Sequence, residues 1–340
     1  MFFEYGQLGE KANCEHSISP LKNICLTEQN QLQAIGYNNY CGITDSLPKE
    51  VLDHFTPFEI KDNQDRALVP KSAVCGESYS LYLLTNPDDP TKSILALSVS
   101  HTTSPNPEIL NIGTLNPIAL YGGNENAAAI DDQGHIIFIP TQSSKSTLLK
   151  SCSLPANEKA IHVAICLKFV FALSSTGKVY SSSIPSNNEL NFSKVKELDG
   201  IEIVDISASF DHCLAVSKNG KTFGFGSNEY GQLGLGRLKK EVKKFTEISS
   251  LKKFSVCKVF AGSNHSLFQI PGGQYLSCGS NSYGHLAIKD KPSRKNYYSP
   301  VETVVEKGTF FAFAGQFVSV FFTGESGIPK DSPNMTLNDS

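Results

Sequence analysis

Phe223-Gly224-Phe225-Gly226-Ser227-Asn228-Glu229-Tyr230-Gly231-Gln232-Leu233-Gly234-Leu235-Gly236 decides the reading of this chain. It starts as a short strand behind Asn219-Gly220, a pair that reads as a two-residue hairpin turn. It then enters closely spaced glycines, which allow tight bends where a β-carbon would clash. The stretch recurs as Leu276-Ser277-Cys278-Gly279-Ser280-Asn281-Ser282-Tyr283-Gly284-His285-Leu286, with Gly279 standing 53 positions after Gly226. Upstream, Ala208-Ser209-Phe210-Asp211-His212 matches Ala261-Gly262-Ser263-Asn264-His265, again 53 apart. A fixed long period is a statement about architecture and takes precedence over local patterns.

Working outward, seven copies of one pattern emerge: a small-residue block, an apolar segment, a turn and a second apolar segment. Aligned on the slot of His212, they fall at 22, 79, 125, 169, 212, 265 and 318, separated by 57, 46, 44, 43, 53 and 53 residues. Turns read at Gln133-Gly134 and Thr176-Gly177, in the place of Asn219-Gly220. Units of this size with several short strands suit blades stacked around an axis, so the expected class is all-β, a seven-bladed β-propeller. Helical repeats are disfavoured; Val51-Leu52-Phe55 behind Pro48 is the best short stretch with helical spacing. Residues 1–328 are expected to form one propeller, and the polar stretch 329–340 a disordered tail.

The seventh copy lacks a glycine-rich ending, and the missing piece stands at the other terminus. Glu4-Tyr5-Gly6-Gln7-Leu8-Gly9 repeats Glu229 to Gly234 without a change, although Met1-Phe2-Phe3 lacks the preceding Gly-x-Asn. The N-terminus is therefore expected to complete the last blade and close the ring, removing strand edges.

Composition narrows the function classes. A formal charge of −3 over 340 residues carries no global nucleic-acid signature. Nine cysteines include no Cys-x-x-Cys pair, and no secretion signal is visible at Met1–Glu4. Reduced thiols, a cytosolic or nuclear location, no membrane span and a monomer are the resulting expectations.

Gly226-Ser227-Asn228-Glu229-Tyr230-Gly231-Gln232-Leu233-Gly234, with the Asn-Gly turn before it and a Gly-x-x-His block after it, resembles the repeat of the regulator of chromosome condensation family. The match is specific in units five and six, clear in unit one and degenerate in units two to four. The sequence departs from the family in having no tryptophan: Phe225 and Cys278 stand where Trp-Gly is usual. The resemblance implies a seven-bladed propeller and a protein partner, with a small GTPase of the Ran type as candidate and the propeller as exchange factor. Some relatives are scaffolds or substrate-recognition modules without exchange activity, and that reading stands beside the first. No residue for exchange is carried over, and chromatin or nucleic acid finds no support in the net charge.

Apparent chemical motifs give way to the repeat. Ala215-Val216-Ser217-Lys218-Asn219-Gly220-Lys221-Thr222 fits a loose phosphate-binding loop, but such a loop must open a helix. The sister turns continue into strand-like residues, so a hairpin is expected. His212 and His265 share a slot and are expected to hydrogen-bond backbone between strands. Gly226, Asn228, Gly231, Gly234, Gly279, Asn281 and Gly284 are repeat-structural for the same reason. Cys75 and Cys166 take the slot of Gly262 and read as small packing residues. No catalytic constellation, metal set or cofactor motif appears, so an enzyme is not expected.

One charge pattern points to a partner. Residues 237–258 hold Arg237, Lys239, Lys240, Lys243, Lys244, Lys252, Lys253 and Lys258 against Glu241 and Glu247. Unit six adds Arg294 and Lys295 in the matching place, while unit one is acidic there. A propeller is expected to place these segments on related loops at one rim. Such a basic sector suits an acidic protein surface or a nucleic-acid backbone.

Overall fold

The apolar runs of this chain are continuous where a half-buried strand would alternate, and the computed structural model shows why. Ala127 and Ala129 pack into one core cluster, whereas Ala128 and Ile130 pack into another on the opposite face. Cys213 and Ala215 likewise face one neighbour, and Leu214 and Val216 the next. The sheets that carry these residues are buried on both faces, so period-two alternation becomes alternation between neighbours. The core is thus a series of slabs between successive sheets, each buried leucine or phenylalanine contributing about 2 kcal/mol.

The structure describes residues 2–4, 17–18, 22–26, 31–37, 51–62, 64–99, 107–141, 148–237, 239–282, 284–288, 295–305, 309–314 and 319–323. Within them β1 (Phe2–Glu4) comes first, followed by a sheet of β2 (Ser17–Ile18), β3 (Lys22–Leu26), β4 (Leu32–Tyr37) and β5 (Val51–Phe58). The second sheet is β6 (Pro70–Cys75), β7 (Tyr79–Thr85), β8 (Ser93–Val99) and β9 (Glu108–Ile109). The third is β10 (Pro117–Gly122), β11 (Asn126–Asp131), β12 (Ile136–Pro140) and β13 (Ser151–Cys152). The fourth is β14 (Ala160–Ile165), β15 (Phe169–Ser174), β16 (Val179–Ser183) and β17 (Ser193–Lys194). The fifth is β18 (Ile203–Ser209), β19 (His212–Ser217), β20 (Thr222–Ser227) and β21 (Glu241–Glu247). The sixth is β22 (Lys258–Ala261), β23 (His265–Ile270), β24 (Gln274–Ser280) and β25 (Asn296–Thr303). Last come β26 (Thr309–Ala314) and β27 (Ser319–Thr323).

The described fold is all-β, with strands in chain order inside each of six four-stranded sheets and one sheet of three. First strands touch first strands from β6 through β10, β14, β18 and β22 to β26. The aligned slot opens the second strand at Lys22, Tyr79, Phe169, His212 and His265. Val51–Phe58, where helical spacing was read, is instead the outer strand β5, whose register with β4 wins over a short local pattern.

In the three-stranded sheet β1 pairs with β27, Phe2 opposite Phe321 and Glu4 opposite Thr323, giving the order β1-β27-β26. This pairing is parallel, while the third strand of every other sheet is antiparallel to the second. Tyr5 to Gly9, the copied ending, and the expected tail 329–340 lie outside the described residues.

The two rims are built differently. At one, the second strand turns into the third through Asp131–His135, Ser174–Lys178 and Ser217–Lys221. In each, the glycine N–H reaches the first residue's carbonyl (Gly220 to Ser217, 2.8 Å), and the first and last residues also pair (Ser217 N–H to Lys221 O, 2.9 Å). These are three-residue loops, not the two-residue turns read from Asn-Gly. Gly134, Gly177 and Gly220 take φ of 82°, 75° and 79°, the left-handed position that closes such a loop. At the opposite rim lie the first hairpin of each sheet and the glycine-rich loop between the third and fourth strands.

Candidate partner-binding surface

Asn228 and Asn281 explain why the glycine-rich ending repeats. The Asn228 amide nitrogen donates to the carbonyls of Gly236 (2.9 Å) and Lys239 (2.6 Å), and its side-chain oxygen accepts the Leu233 N–H at 2.9 Å. Its own backbone N–H donates to Lys240 O at 2.7 Å. Asn281 does the same in unit six: its oxygen accepts Leu286 N–H at 3.0 Å and its N–H reaches Lys295 O at 2.7 Å. Both side chains are buried, so each loop is tied inward at a single asparagine.

The glycines make this close approach possible. Gly226 (φ 95°) and Gly279 (φ 106°) lie against the backbone of the preceding hairpin; a β-carbon there would stand 2.1 Å from Asp211 O and 2.4 Å from Asn264 O. At Gly231 it would meet Tyr297 O at 2.5 Å, and at Gly234 the Pro300 ring at 2.9 Å, so the loop of sheet five is docked on β25 of sheet six. Gly236 N–H donates to Tyr298 O at 2.9 Å. Gly284 has open space around it, and only its φ of 78° calls for glycine.

Arg237, Lys239 and Lys240 are exposed on this tethered loop, with the Arg237 guanidinium 5.0 Å from the centre of the Tyr298 ring. Lys295 is exposed on the corresponding segment of unit six, and Arg294 lies outside the described residues. Lys243 and Lys244 are exposed on β21, an outer strand. Lys244 pairs with Glu197 at 3.7 Å, while Lys239, Lys240 and Lys243 make no ion pair among the described residues. Lys252 and Lys253 sit beyond the far end of β21, near the other rim. The expected single-rim sector is therefore a stripe: it starts on one rim, runs along an edge strand and ends at the other. In unit one, Asp62 and Asp65 are not free acids; they pair with Arg66 at 2.6 Å and Lys61 at 3.0 Å.

His212 and His265 are fully buried, and their partner is not backbone in their own sheet as expected. His212 Nε2 lies 2.9 Å from Ser266 Oγ, which donates to Gln232 O at 2.6 Å. One period on, His265 Nε2 lies 3.0 Å from Ser319 Oγ, which donates to His285 O at 2.6 Å. A carbonyl only accepts, so the hydroxyl proton goes to it and the imidazole must donate from Nε2. Each histidine thereby joins its sheet to the next and to the glycine-rich loop. Burial holds the His212 pKa down to about 3, and His265 is also held well below its ordinary value, by burial first and then by neighbouring histidines. Tyr79, in the same slot, reaches the next sheet too: its hydroxyl is 2.9 Å from both Gly123 O and Asn126 O. Sequence reasoning missed this bridge because donor and acceptor lie 54 residues apart. The period was the available signal: Ser266 and Ser319 are themselves 53 apart.

In place of the missing tryptophan, Phe225 makes edge-to-face contacts with Phe169 and Phe171, ring centres 5.4 Å apart, and Cys278 is buried with Sγ 3.4 Å from Gln232 O. Cys75 and Cys166 are buried, and Cys166 Sγ lies 3.3 Å from His212 O. Among the described residues no group of three His, Cys, Asp or Glu side chains could hold a metal, and no helix is long and apolar enough to cross a membrane. What the surface offers chemically is fixed cationic charge beside aromatic rings.

Family models described as the regulator of chromosome condensation repeat match residues 203–232 and 219–269. The human probable E3 ubiquitin-protein ligase HERC6 is 28% identical over 173 residues, 49% of this chain and 17% of that protein. The bovine secretion-regulating guanine nucleotide exchange factor is 36% identical over 102 residues, 30% of this chain and 22% of that one. The chain thus spans less than a quarter of the length of either relative. Among solved structures, Prp20p from Saccharomyces cerevisiae, described with its binding to Gsp1p and histones, superposes with TM-score 0.69 at 14% identity, covering 94% of this chain and 83% of that one. Repeat, relatives and fold converge: residues 203–269 of this chain carry the repeat of the regulator of chromosome condensation family.

Proposed function

We propose that this chain is a protein-binding regulator, built as a seven-bladed ring, that serves as a guanine nucleotide exchange factor for a small GTPase of the Ran type. The carrying observation is the tethered cationic surface of Arg237, Lys239, Lys240, Lys243, Lys244 and Lys295, most of it without internal ion pairs. Exposed cations on a loop held by Asn228 are organised for an acidic partner before it arrives, which favours fast, oriented association. The likeness to a guanine nucleotide exchange factor supports the choice of partner. Exchange itself needs no catalytic group here. A protein that binds the nucleotide-free GTPase more tightly than the loaded form must, by linkage, weaken nucleotide binding by the same factor. In this reading the seven sheets are the blades, pairing of β1 with β27 closes the ring, and the protein works in the cytoplasm or nucleus.

A non-catalytic scaffold or substrate-recognition propeller is the second reading. It is favoured by the match to HERC6, a probable ubiquitin ligase of which the likeness covers a small part.

The surface is tested by reversing Lys239, Lys240, Lys243 and Lys244 to glutamate and following association with a Ran-type GTPase at low and high salt. Association should slow by about tenfold or more and lose most of its salt dependence, with melting temperature nearly unchanged. Association untouched by the reversal would reduce the stripe to a solvated surface.

A further inference from the structure

At the rim opposite the Asn228 loop, exposed aliphatic side chains recur at one register position. Ile118, Ile161 and Val204 are 57%, 48% and 45% exposed. Each is the extra residue of a β-bulge near the start of its sheet's first strand, between Pro117 and Ala119, Ala160 and His162, and Ile203 and Asp205. A bulge re-aims a side chain that regular pairing would turn inward. Three in successive sheets, with first strands in contact, form one apolar arc rather than scattered exposure.

The arc rests on fixed backbone. Ala160 N–H donates to Gly134 O (3.0 Å) and Ser175 N–H to Lys159 O (2.9 Å), on either side of Ile161's strand start. Ile203 N–H to Gly177 O and Lys218 N–H to Glu202 O, both 2.9 Å, hold Val204's in the same way. Beside Val204 lies an open cleft of about 350 Å³ lined by Ile201, Glu202, Lys218, Asn219 and Lys221 among others.

The charges around the arc select the partner. The rim's carboxylates are already engaged: Glu202 with Lys218 at 3.1 Å, Glu158 with Lys178 at 2.5 Å, Glu247 with Lys252 at 3.6 Å, and Asp132 through Asn116 at 3.0 Å. Lys159 and Lys221 are exposed and make no ion pair among the described residues. The geometry points to a second docking surface, on which Ile118, Ile161 and Val204 receive an acidic amphipathic segment of a partner protein, with Lys159 and Lys221 meeting its carboxylates. Packed sheets repeat about every 10 Å, which is the advance of about seven residues of α-helix. Leucines seven positions apart on a glutamate-rich helix therefore match the arc.

The probe is a labelled synthetic helical peptide with three leucines at that spacing and glutamates between them, compared with a twin carrying lysines for glutamates and one carrying serines for leucines. Fluorescence anisotropy with the full chain should show binding of the first only, with hydrogen-exchange protection at residues 116–119, 159–162 and 202–205. Replacing Ile118, Ile161 and Val204 together by serine should weaken it at least tenfold, and Lys159→Glu with Lys221→Glu about as much. The Lys239, Lys240, Lys243 and Lys244 reversal should leave it unchanged, which separates this surface from the opposite one. Equal binding of the lysine twin, indifference to the serine replacements in a variant of unchanged melting temperature, or no binding of the acidic peptide would each overturn the assignment.

Discussion

His212 and His265 are bases held neutral inside the molecule, and that has a measurable consequence. Unfolded, each takes up a proton near pH 6.5; folded, His212 does so only near 3 and His265 likewise far below its ordinary value. Between those limits the unfolded chain binds more protons, so stability is full above about pH 7 and declines as pH falls below about 6.5. The slope approaches about 1.4 kcal/mol per pH unit for each histidine. Asp205 acts in the opposite sense: burial raises its pKa to about 6, so the folded state gains protons, and stability, as pH falls through that value. His212→Gln keeps a donor for Ser266 and removes the titration. Urea midpoints measured from pH 7.5 to 5 should therefore fall less steeply for His212→Gln than for the parent; parallel curves would contradict the buried neutral imidazole. The slot itself was legible from the sequence, but its partner was not, because side-chain bridges between sheets leave no local pattern.

The glycine-rich loop is the element whose sequence speaks most clearly. Asn228→Ala removes three side-chain hydrogen bonds and should cost about 2 kcal/mol. Gly226→Ala, which sets a β-carbon against Asp211 O in left-handed backbone, should cost about 3 kcal/mol. Chemical denaturation of both variants checks the order: Gly226→Ala worse than Asn228→Ala, both worse than Gly284→Ala, which meets no neighbour. The Ser217–Lys221 turn leads straight into β20, so Lys221→Ala should change no nucleotide affinity of the protein itself, as equilibrium dialysis with ATP and GTP would show. Second and third strands were readable as apolar runs either side of a glycine turn. The outer strands β9, β13 and β17 were not: each is two residues long, and Glu-Ile, Ser-Cys and Ser-Lys carry no periodicity. The inner-strand bulges were equally silent, since an extra residue breaks the alternation by which strands are recognised.

For the whole molecule, the repeat period foretold an all-β chain of successive small sheets, as the described residues form, because sheets buried on both faces need a near-constant length of chain each. Which faces carry charge could not be read, since that depends on strand direction within every sheet; hence a stripe where a single-rim sector was expected. The proposed closure of the ring through the N-terminus predicts a structural role for residues 1–9. Deleting them should lower the melting temperature and promote oligomers through an opened edge, while deleting residues 331–340 should do neither. Identical behaviour of both truncations would remove the closure. The exchange reading is tested most directly by release of a fluorescent guanine nucleotide from a Ran-type GTPase, with this chain present at a small fraction of the GTPase concentration. The account predicts release accelerated well beyond the spontaneous rate, with the acceleration suppressed when Lys239, Lys240, Lys243 and Lys244 are reversed to glutamate. Release at the spontaneous rate, with or without a stable complex, would contradict it.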